Sequence, residues 1–235
     1  VYVQGPLEDI QRTLEFLRLG AEHVVDWAVT NGLVINVNKT RAILFGSYYY
    51  VNEFNKMTID HLHFRDFSIP FVPTVRSLGV VLDAKLSWHD HIHYISQRAN
   101  SLMYRLYHFR RSTTLELRRH LIQTLLLPLV DYCSLVYCDI SGEQNLIIQR
   151  ILNTGIRYIF GLRRGEHITT YRQQLGWMSA RGRRDYFAAC LLYKLLRTSV
   201  PSYLMPLFVA KINFRPTRGD NPDVLLVPKW RTEYL

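Results

Sequence analysis

Leu78 to His91 reads L-G-V-V-L-D-A-K-L-S-W-H-D-H, and the character of the chain changes across it. The residues before it mix strand and helix signals with a slight acid excess. Those after it are helical, aromatic and rich in arginine. Residues 1–96 hold eight Lys and Arg against ten Asp and Glu, whereas residues 97–197 hold sixteen against six, so the whole formal charge of +10 resides in the middle hundred residues. Charge concentrated this way points to a polyanionic partner, nucleic acid first and a membrane surface second. A solvated face kept for solubility is the other reading of charge alone.

Val75 to Leu82, inside the opening stretch, reads as a strand, and upstream of it the pattern is mixed. Val1 to Val3 read as the end of a strand closed by Gly5-Pro6. Ile10, Leu14, Leu17, Ala21, Val24 and Ala28 recur at steps of three and four, which predicts a helix stopped by Asn31-Gly32. Leu33, Ile35 and Val37 alternate as strand positions do, and Ala42 to Phe45 form another short run. Residues 47–56 show no period, and Tyr48 to Tyr50 read equally as a loop on the core or a base-stacking platform. Met57 to Phe64 and Phe67 to Val72 look like paired strands, with Pro70 and Pro73 favouring an edge. These signals predict a sheet covered by helices on one face.

Downstream the pattern becomes helical. Ile92, Ile95, Ala99, Leu102, Leu106 and Phe109 form one stripe, with Arg98 and Arg105 opposite and Arg110 and Arg111 at the end. Thr113 or Thr114 can cap a second helix with Leu117, Leu121 and Leu125 inside and Arg118 and Arg119 outside; Pro128 kinks or ends it. A third places Ile148, Ile151, Leu152, Gly155 and Ile159 inward, while Arg150, Arg157 and Arg164 recur at heptad spacing. Arg181 to Leu196 reads as a further helix. The fold class expected is therefore α+β: residues 1–88 a sheet with helices, 89–164 a small helical bundle, 165–200 a helical extension and 201–235 a proline-spaced tail.

Cys133, Cys138 and Cys190 have no Cys-x-x-Cys spacing, which leaves neither a disulfide framework nor a zinc knuckle and suits a reducing, intracellular compartment. No apolar run approaches the ~20 residues that span a bilayer, so no membrane partner is expected. His89, His91 and His93 resemble a metal cluster, but on a helix only His89 and His93 share a face. No metal site is expected from them. Trp27, Trp88 and Trp177 read as core or interface aromatics.

Three segments carry a family resemblance: W-A-V-T-N-G-L-V-I-N-V-N-K-T (Trp27 to Thr40), L-G-V-V-L-D-A-K-L-S-W-H-D-H-I (Leu78 to Ile92) and L-P-L-V-D-Y-C-S-L-V-Y (Leu127 to Tyr137). L-I-I-Q-R-I-L-N-T-G-I-R (Leu146 to Arg157) adds a weaker fourth. In this order they resemble the reverse transcriptases of non-LTR, LINE-type (jockey-like) retrotransposons. The resemblance implies the C-terminal part of a polymerase palm over residues 1–88, a helical thumb from His89, and a nuclear and cytoplasmic life. It makes Gly32 to Thr40 similar to the palm's fourth motif, with Lys39 a candidate general acid toward the leaving pyrophosphate. Leu78 and Gly79 resemble the core of the primer grip. Arg98, Arg105, Arg111, Arg118, Arg119, Arg150, Arg157 and Arg164 then become candidate contacts to the backbone of an RNA template and DNA primer. His91 matches a position often occupied by His in the family, which implies structure or substrate contact.

The family holds Mg2+ with an adjacent Asp-Asp pair in a Tyr-x-Asp-Asp turn, and this sequence contains no adjacent Asp-Asp. Mg2+ is thus implied for the complete polymerase and not for this chain. By the family pattern Val1 to Val3 is the strand after that turn, which implies missing upstream palm and fingers and no polymerisation by the chain alone. A non-catalytic, nucleic-acid-binding remnant of a decayed mobile element is the alternative.

Overall fold

A computed structural model describes residues 1–57, 59–209 and 225–226. Its residues are mainly helical, with two small antiparallel two-stranded sheets, an α+β composition. The chain divides into two compact units, Val1–Ile95 and Ser96–Leu235.

In the first unit helix α1 spans Ile10–Thr30. Ile10, Val25 and Ala28 are buried, and Leu14, Leu17 and Ala21 lie half-buried on the same side. Val24, expected inward, is exposed, because a step of four from Ala21 keeps closer to the 3.6-residue turn and brings Val25 round instead. The helix ends as Asn31-Gly32 predicts: Gly32 takes the left-handed conformation at φ +67°, and the Leu33 N–H donates back to the Ala28 carbonyl at 2.8 Å. Helix α2, Tyr48–Lys56, occupies the stretch that shows no period in sequence; the Ser47 hydroxyl accepts from the Tyr50 N–H, and Val51 and Phe54 are its buried pair.

Strands β1 (His61–Phe64) and β2 (Phe67–Pro70) pair antiparallel as expected, with Leu62 opposite Ile69. Val25 of α1, Ala42, Leu62, Phe64 and Ile69 share one core. Two expected strands are absent: Val1 to Val3 have no ladder partner, and Val37–Lys39 form a turn of 3₁₀ helix held by Asn36, whose side chain accepts from the Lys39 N–H. Local side-chain capping outcompetes the alternation of Leu33, Ile35 and Val37. Ala42 alone joins the sheet, bridging Phe71.

Val75 to Leu82, expected as one strand, is a hairpin of β3 (Thr74–Ser77) and β4 (Val80–Asp83). Its two-residue turn is Leu78-Gly79, both at positive φ (+47° and +88°), the backbone sign of a type I′ turn. Asp83 ends the hairpin by accepting from the N–H groups of Lys85, Ser87 and Trp88, which brings Trp88 into a buried position ahead of α3 (His89–Phe109).

In the second unit α3 buries Ala99 and Met103, while Phe109, expected inward, is exposed. A single helical run follows: α4 (Leu115–Leu121), a π-helical segment Ile122–Leu126, and α5 (Leu127–Asp131). Pro128 has no N–H to offer the Thr124 carbonyl, and the wider turn, in which the Leu127 N–H reaches Ile122, accommodates the break just before it. The buried stripe is Ile122, Leu126 and Val130; Leu117 and Leu125, expected inside, are exposed. Helix α6 (Gly142–Phe160) starts at a Ser141–Gln144 capping box and ends on Gly161 at φ +81°. Ile148, Ile151, Leu152, Gly155 and Ile159 are all buried, as its spacing predicts. Gly155 sits against the π-helical segment so closely that a Cβ there would lie 2.8 Å from Leu126 and 3.0 Å from Ile122.

Helices α7 (Thr169–Leu175) and α8 (Ala180–Thr198) complete the unit. Beyond Pro201 a 3₁₀ stretch covers Ser202–Leu207, and most of the proline-spaced tail lies outside the described residues. Among the described residues no helix is long and apolar enough to cross a membrane.

Candidate nucleic-acid interface

The two units treat their cations differently. In the first, Arg18 pairs with Glu15 and Glu22, Lys56 with Glu53 and Arg65 with Asp26. Arg12, Arg76 and Lys85 lie over the rings of Phe16, Tyr94 and Tyr48 at 5.6, 4.9 and 4.1 Å. Three of this unit's eight Lys and Arg thus have carboxylate partners, and three more lie over aromatic rings.

In the second unit Arg183 pairs with Asp131 and Arg181 with Asp185. Arg105, Arg111, Arg119, Arg150 and Arg164 are exposed with no carboxylate within ion-pair distance among the described residues, and Arg98 is exposed too. They stand on α3, on the turn after it, on α4, on α6 and on the loop after α6. Cations held on several rigid helices without internal counter-charge can follow a sugar-phosphate backbone without reading sequence.

Arg118 and Arg157 sit differently from the rest of the set. Arg118 is half-buried because it is one helical turn before Ile122 and so shares the inward stripe. Its Nε donates to the Thr114 carbonyl at 3.3 Å and its Nη1 to the Tyr158 carbonyl at 3.5 Å, near the C-terminal end of α6, where a cation is favoured. Arg157 is also half-buried and braces the following loop through the Glu166 carbonyl at 3.5 Å. In that loop the Glu166 carboxylate accepts from the Arg163 N–H at 2.7 Å, which leaves Arg164 outward.

Arg183 and Arg184, within the stretch that the sequence reads only as a further helix, take structural roles. Arg183 donates from Nε to Asp131 at 2.8 Å and makes a second bond from Nη2 to the same carboxylate. Arg184 is 6% exposed; it donates to Asn145 at 2.8 Å and to the Ala180 carbonyl at 3.3 Å, and burial lowers its pKa. The Ala180 N–H donates to the Gln149 side chain at 2.8 Å. Tyr137, wholly buried, donates to the Val130 carbonyl, and its pKa is raised by burial. Partners 31 to 52 residues apart leave no signal in local spacing.

In the first unit Leu78 is 89% exposed at the hairpin tip. A leucine at positive φ is strained, and Gly79 beside it keeps the tip narrow enough for close approach of another backbone. Lys39 is exposed at the end of its 3₁₀ turn, with Thr40 donating to the Asn36 carbonyl at 2.9 Å beside it. The Tyr48, Tyr49 and Tyr50 rings are each at least half exposed. Trp88 is buried, Trp177 half-buried and Trp27 61% exposed.

His91 is buried, and its Nδ1 accepts from the Val81 N–H at 3.3 Å, tying α3 to β4. That bond needs an unprotonated Nδ1, and burial pushes the imidazole below its ordinary pKa. His89 and His93 point outward. Among the described residues no group of three or more His, Cys, Asp or Glu could hold a metal ion.

No protein-family model, curated protein or solved structure matches the chain. Its function is therefore read from the geometry and from the resemblance of the four sequence segments.

Proposed function

We propose that this chain grips a template–primer duplex as the palm-and-thumb portion of an RNA-directed DNA polymerase of the non-LTR retrotransposon type. The observation that carries the reading is the second unit's surplus of exposed arginines, of which Arg105 on α3, Arg119 on α4 and Arg150 on α6 have no carboxylate within ion-pair distance among the described residues. The four ordered sequence segments add the family. Leu78-Gly79 supplies the primer-grip tip, and Lys39 a cation for the departing pyrophosphate of a complete polymerase. The chain contributes grip and not phosphoryl transfer, since the sequence has no adjacent Asp-Asp pair to hold metal.

The missing pair is also what favours the second reading, a nucleic-acid-binding remnant without enzymatic role. Both readings require binding. The purified chain is expected to bind a labelled RNA–DNA hybrid at low salt by fluorescence anisotropy, and to extend no primer with magnesium or manganese. Absence of binding at low salt would remove both, and primer extension would overturn the assignment of grip alone.

A further inference from the structure

A depression of about 460 Å³ in the second unit is lined by Tyr107, Arg110, Arg111, Thr113 and Arg118, and no carboxylate is among them. We propose that it is a discrete site for one phosphate group, separate in kind from the diffuse arginine face around it. Arg110 is outside the set of residues that the sequence marks for nucleic-acid contact, and it is the one the geometry adds.

Three features build the site. First, the guanidinium of Arg110 is packed against the end of α6, where a Cβ on Gly161 would fall 2.6 Å from its Nη2. Second, Arg118 is fixed by its bonds to the Thr114 and Tyr158 carbonyls, which occupy Nε and Nη1 and leave Nη2 with both of its donors. Third, Arg110 lies over the Tyr107 ring at 5.8 Å, and that ring meets Tyr158 edge to face at 5.4 Å, so the wall beneath it is packed. The Thr113 hydroxyl donates to the Arg110 carbonyl at 3.0 Å, holding the turn that carries Arg110 and Arg111.

Three like charges held round one depression repel unless an anion joins them. A phosphate offers several acceptor oxygens to planar donor forks, the match for which guanidinium is suited. The site lies within the proposed interface, but its charge argument stands without the duplex. A backbone phosphodiester, a terminal phosphomonoester and free inorganic phosphate share this chemistry.

The test is a titration of the full chain with inorganic phosphate at constant ionic strength, followed by NMR of the arginine Nε–H groups. Saturation at one site is expected, with the resonances of Arg110, Arg111 and Arg118 moving together. Arg110→Gln with Arg111→Gln should weaken phosphate binding at least tenfold, and Arg12→Gln in the other unit should leave it unchanged. Shifts that grow without saturation on exposed arginines generally, or a double variant that binds as the parent does, would overturn the site. The wild-type titration is decisive even if the double variant fails to fold. Displacement by a 5′-phosphorylated oligonucleotide but not its 5′-hydroxyl twin identifies a terminal phosphate, equal displacement a backbone phosphate, and displacement by neither the free ion; each supports the site. Hybrid binding without saturable phosphate would remove the pocket and leave the proposed function standing.

Discussion

Among the described residues, residues 1–95 hold four ion pairs and the second unit two, and the two units use them for different ends. The exposed Arg65–Asp26 pair of the first joins side chains 40% and 59% exposed, while Arg183–Asp131 of the second joins side chains 15% and 19% exposed in a two-bond fork. The first neutralises surface charge, and the second ties α8 to the end of α5. Charge matched by neighbours stabilises little, charge paired in a part-buried fork is structural, and only charge left outside without a partner is available to a ligand. The second unit has both of the latter kinds, and sorting them is what separates its architecture from its proposed function.

Breaking this part-buried pair should have the strongest consequence. Asp131→Ala strands Arg183 and should cost about 3 kcal/mol of stability, whereas Asp26→Ala should cost less than about 1 kcal/mol; urea denaturation followed by circular dichroism measures both. Equal costs would mean that burial does not distinguish the pairs. Next, Gly155→Ala forces a methyl against Leu126 and Ile122 and should cost about 2 kcal/mol by overpacking. A neutral result would show that α6 and the π-helical segment can separate freely.

A milder change is expected in the first unit. Replacing Leu78 by Asn, which tolerates the left-handed backbone of a type I′ turn, should stabilise the hairpin by up to about 1 kcal/mol. If the tip holds a primer, the same change weakens hybrid binding; unchanged binding would detach Leu78 from the grip. His91 gives the pH signature. Its folded-state pKa is depressed, so the unfolded chain binds the proton more tightly, and stability is full above the ordinary value near 6.5 and falls as pH drops through it. His91→Asn keeps an acceptor for the Val81 N–H and should flatten that fall. Persistence of the same acid limb in the variant would assign it to another group.

Legibility in the sequence follows how local each determinant is. The inward stripe of α6 can be read because its apolar spacing has one phase from end to end, and the stop of α1 because Asn31-Gly32 encodes it directly. The stripe on α4 and α5 misleads because Leu117, Leu121 and Leu125 are equally apolar, and the choice between them and Ile122, Leu126 and Val130 is made by packing on α6. The hairpin reads as a strand because Leu78 is not a turn residue; Gly79 inside an apolar run is the one local sign of it. The candidate site is legible as an excess of arginine. Its division into surface cations, the braces Arg118 and Arg157, and the structural Arg183 and Arg184 depends on partners far along the chain.

Whether the unmatched arginines of the second unit hold the duplex is measured most directly by the slope of log K against log salt for RNA–DNA hybrid binding, compared between two sets of neutralised arginines. Changing Arg105, Arg119 and Arg150 to Gln should flatten the slope by roughly 0.7 to 0.9 for each phosphate that is no longer neutralised. Changing Arg12, Arg18 and Arg65 should leave it nearly unaltered. Equal flattening by both sets would contradict the proposed grip, because net charge alone, and not the unmatched arginines, would then govern binding.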